Sequence, residues 1–222
     1  MNEKPSVQGY DISAFSAAVI GCGGLGTNAA VHLAGAGIGK LWLCDYDTVQ
    51  TRNLNRQFFY TAEDVDKDKC KLLCNRLQAY SPDTEIIPIC KQIVCMEDLS
   101  FADNADLIIL AVDNVTTRRI VNAYCKAQKK PLVNGGVDRM FGTAYLFVPG
   151  QCADLEEAGL LLEPNQKPLS QSPVVGVIGA LEAKLAIDYF LGNTDAQGKL
   201  LCFDGMEIQA LQIQMNKGDE AT

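Results

Sequence analysis

AAVIGCGGLGTNAAVHLAGAG, residues 17–37, changes from one backbone period to another across six glycine-rich positions. AAVI (17–20) is an apolar run of the length a short buried strand takes. GCGGLG (21–26) follows, with Gly21, Gly23 and Gly26 in the spacing GxGxxG. TNAAVHLAGAG (27–37) then carries small and apolar residues at helical spacing and ends at Gly35 and Gly37, as helices tend to. Strand, glycine turn and helix in that order open a nucleotide-binding βαβ unit. The missing side chains let backbone approach a ligand, and the helix N-terminus attracts phosphate. By itself the stretch says nucleotide and no more, since a tight turn without a ligand uses the same glycines.

Outward from this turn, strands and helices alternate. KLWLCD (40–45) reads as a second strand, and Lys69 to Tyr80 as a helix with Leu73 and Leu77 on one face, stopped by Ser81-Pro82. TEIIPICKQIV (84–94) is a third strand, interrupted or at an edge because of Pro88. ADLIILAVDN (105–114) is apolar almost throughout, as expected of a parallel strand covered on both faces. A helix, TTRRIVNAYCKAQKK, and a strand, PLVNGGV, come next. After about residue 139 the rhythm changes. FGTAYLFVPG reads as an antiparallel strand, 152–173 as an irregular crossover, 174–192 as a long helix, and 199–217 as a hairpin turning at Asp204-Gly205. The last residues, GDEAT, read as a loose tail. The expectation is a doubly wound α/β fold, Rossmann-like and mostly parallel, with a C-terminal antiparallel extension and ligands outside the carboxyl ends of its strands. One domain over 1–222 would divide into a nucleotide-binding half, about 17–138, and a second half, about 139–217.

Composition narrows the function. The apolar fraction of 48% is that of a chain with a real core. The longest apolar stretch, 174–191, contains Glu182, Lys184 and Asp188, so no membrane span is expected. The N-terminus lacks the basic start and apolar stretch of a signal peptide. Nine cysteines without a CxxC pair suggest reduced thiols in a cytosol, and hence a cytoplasmic protein without a cysteine-rich zinc site. A net charge of −8 disfavours a broad nucleic-acid-binding surface and makes any local cluster of cations more informative.

Such a cluster exists. Asp45 falls 19 residues after Gly26, where a carboxylate accepts from ribose hydroxyls. It opens DYDTVQTRNLNRQ (45–57), in which Arg52, Asn53, Asn55, Arg56 and Gln57 follow within a dozen residues. A dinucleotide-dependent oxidoreductase would explain the glycines and Asp45 but has no use for these donors. A triphosphate, carrying about four negative charges, needs cations and donors. Arg56 can fork onto phosphate oxygens, and Asn53 can donate through its amide. Lys69 adds a point charge, although its spacing in DVDKDKCK alone favours an ordinary solvated lysine. Asp113, at the carboxyl end of the strongest strand, is placed to hold Mg²⁺, or to cap the helix beginning near Thr116. His32, the one histidine, reads as packing.

GxGGLG, D-x-D, NLNRQ, a lysine and then DN, in this order, resemble the ThiF/MoeB/HesA family, bacterial relatives of ubiquitin-activating enzymes. The resemblance runs from about residue 17 to 217 and takes in GGVDRMFG, SPVVGVIGALEAKLAIDYFLG and KLLCFDGM. It implies an adenylyltransferase that uses Mg·ATP to activate the C-terminal carboxylate of a ubiquitin-like sulfur-carrier or modifier protein ending in Gly-Gly. It implies that Gly24 faces the phosphates together with Gly21 and Gly23, and that Asp45 binds ribose. Asn53, Arg56 and Lys69 would hold the phosphates, with Asp113 on Mg²⁺ and Asn114 beside the nucleotide. Arg56, Lys69 and Asp113 would carry the catalysis. A homodimer and a separate sulfur donor are further implications.

The chain departs from that family in three places. The two zinc-binding CxxC pairs of many members are missing, so no zinc is expected. Residues 1–16 have no arginine to reach a partner's ATP site, and Arg52 could supply that charge within the subunit. Cys152, in the crossover, is a candidate thiol nucleophile, but Asp154, Glu156 and Glu157 beside it would push its pKa upward. The other cysteines considered, Cys44, Cys70, Cys74, Cys90, Cys95, Cys125 and Cys202, read as structural. Three other readings remain: a related enzyme activating a tRNA-linked carboxylate, an NAD(P)-dependent oxidoreductase, and a non-catalytic partner subunit of an activating enzyme.

Overall fold

The computed structural model describes residues 11–163 and 169–213. The expected tail and the N-terminal segment before residue 11 lie outside them. Eight strands form one sheet in the order β3-β2-β1-β4-β5-β6-β7-β8. Strands β1 (Ser16–Ile20), β2 (Lys40–Cys44), β3 (Glu85–Ile89), β4 (Leu107–Leu110) and β5 (Leu132–Asp138) pair in parallel. β6 (Phe141–Phe147), β7 (Lys199–Phe203) and β8 (Ile208–Gln212) continue the sheet antiparallel. The doubly wound sheet with its antiparallel extension is therefore as the sequence implies.

The parallel strands are the apolar runs, and β1 and β4 are buried along their whole length, as central strands covered on both faces must be. Pro88 explains the place of β3. It lacks an N–H, and β3 is the outermost strand, where one backbone edge needs no partner. The strand ends at Ile89 rather than running on to residue 94.

Among the described residues four α-helices connect or cover the strands: α1 (Gly24–Gly35), α2 (Lys69–Tyr80), α3 (Val115–Ala127) and α4 (Ser172–Phe190). α1 starts three residues before the expected Thr27, because the glycines after Gly23 are already its first turn. α4 lies along α1, and Gly179 allows the approach: a Cβ there would sit 2.5 Å from Cβ of Asn28. Short 3-10 turns at Thr51–Asn53, Ala62–Asp64 and Met96–Ala102 have no apolar period long enough to be read from sequence.

Register positions the site. Ile20, Cys44 and Leu110 are mutual neighbours at the ends of β1, β2 and β4. The next residues, Gly21, Asp45 and Ala111, therefore emerge side by side where the strand order reverses, the place at which open α/β sheets bind ligands.

Candidate active site

A cleft of about 610 Å³ opens at these strand ends. Its walls bring together Gly21, Gly23, Gly24, Asp45, Asn53, Arg56, Lys69, Asp113 and Asn114, residues that come from separate segments of the chain. Arg52 lines it too. Cys152 does not: it is 7% exposed beneath the β6 end, its sulfur accepting the Val148 N–H at 3.1 Å, and burial pushes its thiol pKa up. Cys90 and Cys95, expected to be structural, are exposed instead, because β3 stops before both.

The glycines act mainly through packing. Gly21 has φ +101°, and a Cβ on it would lie 2.6 Å from the Ala111 carbonyl oxygen. A Cβ on Gly24 would strike Val175 of α4 at 2.5 Å. Only at Gly23, the N-cap of α1, is the nearest obstacle a side-chain atom at 3.3 Å, Nε2 of Gln57. Gly23 makes no side-chain cap, so the first N–H groups of α1 keep their positive end for a ligand.

Asp45 accepts backbone N–H groups on both oxygens, from Cys22 at 2.7 Å and Asp47 at 2.8 Å. Burial raises its pKa, which Lys69 and these two N–H groups oppose. Each oxygen keeps a lone pair for a ligand hydroxyl. Lys69 is not the solvated lysine that its neighbours suggest. It is 3% exposed, and its Nζ lies 3.1 Å from Oδ2 of Asp47. Arg56 donates to Asn53 Oδ1 at 3.3 Å, which turns the amide N–H₂ of Asn53 away from the arginine and leaves it for a ligand. Asp113 is spared the capping role. Asn114 is the N-cap of α3 and accepts from Thr117 N at 2.7 Å, so the carboxylate beside it stays exposed at the cleft.

Two residues at or near the site, Arg118 and Tyr60, have no part in the sequence reading, and Gln57 enters it only as one of the donors of 45–57. Arg118 donates to the carbonyls of Val112 and Gly135 and to Asn134 Oδ1, clamping the end of β4 to β5 just before Asp113. Gln57 is buried at the cleft with Oε1 unpaired. Tyr60 donates from its hydroxyl to the Cys22 carbonyl at 2.8 Å and so ties the 51–60 segment to the glycine turn. The Arg-Arg pair at 118–119 and the Gln ending NLNRQ were visible, but nothing local distinguishes an inward arginine from a surface one.

A glycine turn, a ribose-type carboxylate and a ring of phosphate-type donors at a topological switch point define a nucleotide-binding α/β protein. The ThiF family model matches residues 6–221, and the chain belongs to the ThiF family. It is 35% identical over 90% of its length to the sulfur carrier protein ThiS adenylyltransferase of Escherichia coli, covering 81% of that protein. It is 33% identical over 91% of its length to the molybdopterin-synthase adenylyltransferase of the same organism, covering 84% of it. It spans about half (49%) of the adenylyltransferase and sulfurtransferase MOCS3 of Aedes aegypti, at 35% identity. Among solved structures, E. coli MccB with ATP superposes with a TM-score of 0.82 at 25% identity, over 92% of this chain and 65% of that one.

Proposed function

We propose that the protein is an ATP-dependent adenylyltransferase that activates the C-terminal carboxylate of a ubiquitin-like sulfur-carrier protein ending in Gly-Gly. The observation that carries this is the convergence of Asn53, Arg56, Lys69 and Asp113 on the same cleft as Asp45 and the glycine turn. An oxidoreductase would leave these four without a task. The named activity of the bacterial relatives supports the same reading.

In this reading Asp45 holds the ribose, and the N-terminus of α1 with Asn53, Arg56 and Lys69 holds the triphosphate. The carrier carboxylate, with a pKa of about 3.5, is ionised at neutral pH and needs no general base. One of its oxygens attacks the α-phosphorus, the bond from that phosphorus to the α,β-bridging oxygen breaks, and an acyl-adenylate and pyrophosphate (the former β- and γ-phosphates) result. The barrier is one anion approaching another, so positioning and charge neutralisation supply the catalysis. Arg52 adds a cation to the same wall. Asp113 fits a magnesium ion, which takes one or two carboxylates and completes its shell with phosphates and water. Among the described residues no group of three or more His, Cys, Asp or Glu could hold a metal, so Asp113 would act with the nucleotide and not as part of a protein cage. Bound there, the ion would offset charge on the leaving pyrophosphate. The reading ends at the adenylate and assigns sulfur delivery to a separate donor. It takes the chain as one subunit of a homodimer.

The test is thermal unfolding with Mg·ATP, NAD⁺ or NADH, on wild type, Asp113→Ala and Arg52→Ala. A ligand at a hundred times its Kd adds about 2.7 kcal/mol, and each kcal/mol raises Tm by roughly 2–4 °C in a domain of this size. Stabilisation by Mg·ATP alone, blunted in both variants, is the expected outcome. Stabilisation by NAD⁺ and not by ATP would reverse the assignment.

A further inference from the structure

We propose that Asp47 is the positioning residue for Lys69, fixing its ammonium on the cleft wall where the polyphosphate lies. The inference rests on the reading of the cleft as an ATP site. Lys69 is the first residue of α2, almost fully buried, yet its side chain lines the cleft. A buried ammonium without a counter-charge is driven to swing toward water, which removes a cation from the site.

Asp47 prevents this, and it is itself held from three sides. Its Oδ2 meets Lys69 Nζ at 3.1 Å, and its carbonyl accepts the Lys69 backbone N–H, also at 3.1 Å. Its own N–H donates to Asp45 Oδ1 at 2.8 Å. Bridges from Thr48 to Asp68 and from Val49 to Val65 zip the following residues onto the segment that enters α2. The ribose carboxylate, Asp47 and the phosphate lysine thus form one continuous chain of contacts. An ammonium has three N–H donors; one goes to Asp47, which leaves the others for phosphate oxygens. A carboxylate on the wall of a polyphosphate site repels its ligand, so Asp47 can favour binding only through what it does to Lys69. D-x-D is read most simply as two ribose acceptors; the structure divides the labour, one acceptor and one anchor.

The experiment is calorimetric titration of the full chain with Mg·ATP and with AMP, on wild type, Asp47→Ala, Asp47→Asn, Lys69→Met and the double variant Asp47→Ala/Lys69→Met. We expect Asp47→Ala to weaken Mg·ATP on the order of tenfold, within the range of coupling between paired groups. In this proposal the Lys69 ammonium meets the β- and γ-phosphates that AMP lacks, so AMP should change by less than about twofold, and in the Lys69→Met background Asp47→Ala should cost nothing more. Asp47→Asn, which keeps the shape and one acceptor, should fall between, and it carries the test if the alanine variant does not fold. Equal losses for ATP and AMP would overturn the proposal, since Asp47 would then serve only the Asp45 loop. So would an additive double variant, or tighter ATP binding in Asp47→Ala. A wild type that binds AMP but gains nothing from the added phosphates would refute the ATP reading itself, and with it this assignment.

Discussion

Glu182 has no exposed surface, and its carboxyl group is pressed against the backbone of β5: a Cβ on Gly135 would lie 2.5 Å from its Cδ. Neither of its oxygens makes a hydrogen bond of full geometry, and burial raises its pKa well above the ordinary carboxylate value, a shift that Arg118 and the Gly135 backbone N–H only partly oppose. Folded, the residue holds its proton where the unfolded chain, with a pKa of about 4.3, has lost it. The folded state then binds more protons, so this group's contribution to stability is complete below about pH 4.3 and falls as pH rises towards the folded pKa. Glu182→Gln should remove that dependence. Its urea midpoint should match wild type near pH 4.5 and exceed it at pH 7.5, whereas parallel curves would show that Arg118 keeps the carboxylate charged. From sequence, Glu182 was merely a charge that argued against a membrane span. Only its neighbours reveal its state. The same holds for Lys69, whose local sequence, rich in Asp and Lys, describes a solvent-facing segment that the fold instead turns inward at one position.

Among elements, the glycine turn and α1 show how two glycines can be required for different reasons. At Gly26 a Cβ would lie 1.8 Å from the Gly21 carbonyl oxygen, a collision with backbone that no rotamer relieves. Gly37, after the end of α1, has φ +83° with nothing within 4 Å of a Cβ. Gly37→Ala should therefore cost only the left-handed conformation, about 1 kcal/mol. Gly26→Ala should cost about 3 kcal/mol or more, as overpacking against fixed atoms does. Chemical denaturation of the two variants checks the ranking; equal losses would mean that α1 can shift away from the turn. The strand–turn–helix order was legible because a continuous apolar run gives way to helical spacing across glycines. β3 was legible as an edge because proline cannot donate. The 3-10 turns at 51–53 and 62–64 were not, since three residues carry no period, although the first of them contains Asn53.

For the whole molecule, charge sets the partners it can hold without a specific site. With 27 acidic against 19 basic residues, the net charge of −8 repels a polyanion except at the cleft, where Arg52, Arg56 and Lys69 gather. Non-specific nucleic-acid binding depends on releasing counterions from many phosphates. A tRNA should therefore not be retarded by the wild-type chain at about 0.15 M salt, where exposed charges more than about 8 Å apart are screened. A retarded band that Arg52→Ala and Arg56→Ala abolish would favour the tRNA-linked carboxylate as substrate. The sequence by itself determined the class of fold, because alternating apolar periods and a glycine turn admit few arrangements of a parallel sheet. It also singled out residues that gather at one cleft, because cations and amides as dense as those of 52–57 are rare in an acidic chain. Tertiary structure alone decided what each of them touches. Strand register carries Gly21, Asp45 and Ala111 to one line, burial turns Lys69 and Glu182 from surface charges into groups that need a partner, and Asn114 takes the helix cap that frees Asp113. Burial and pairing arise between segments distant in sequence, and the local pattern of residues cannot encode them.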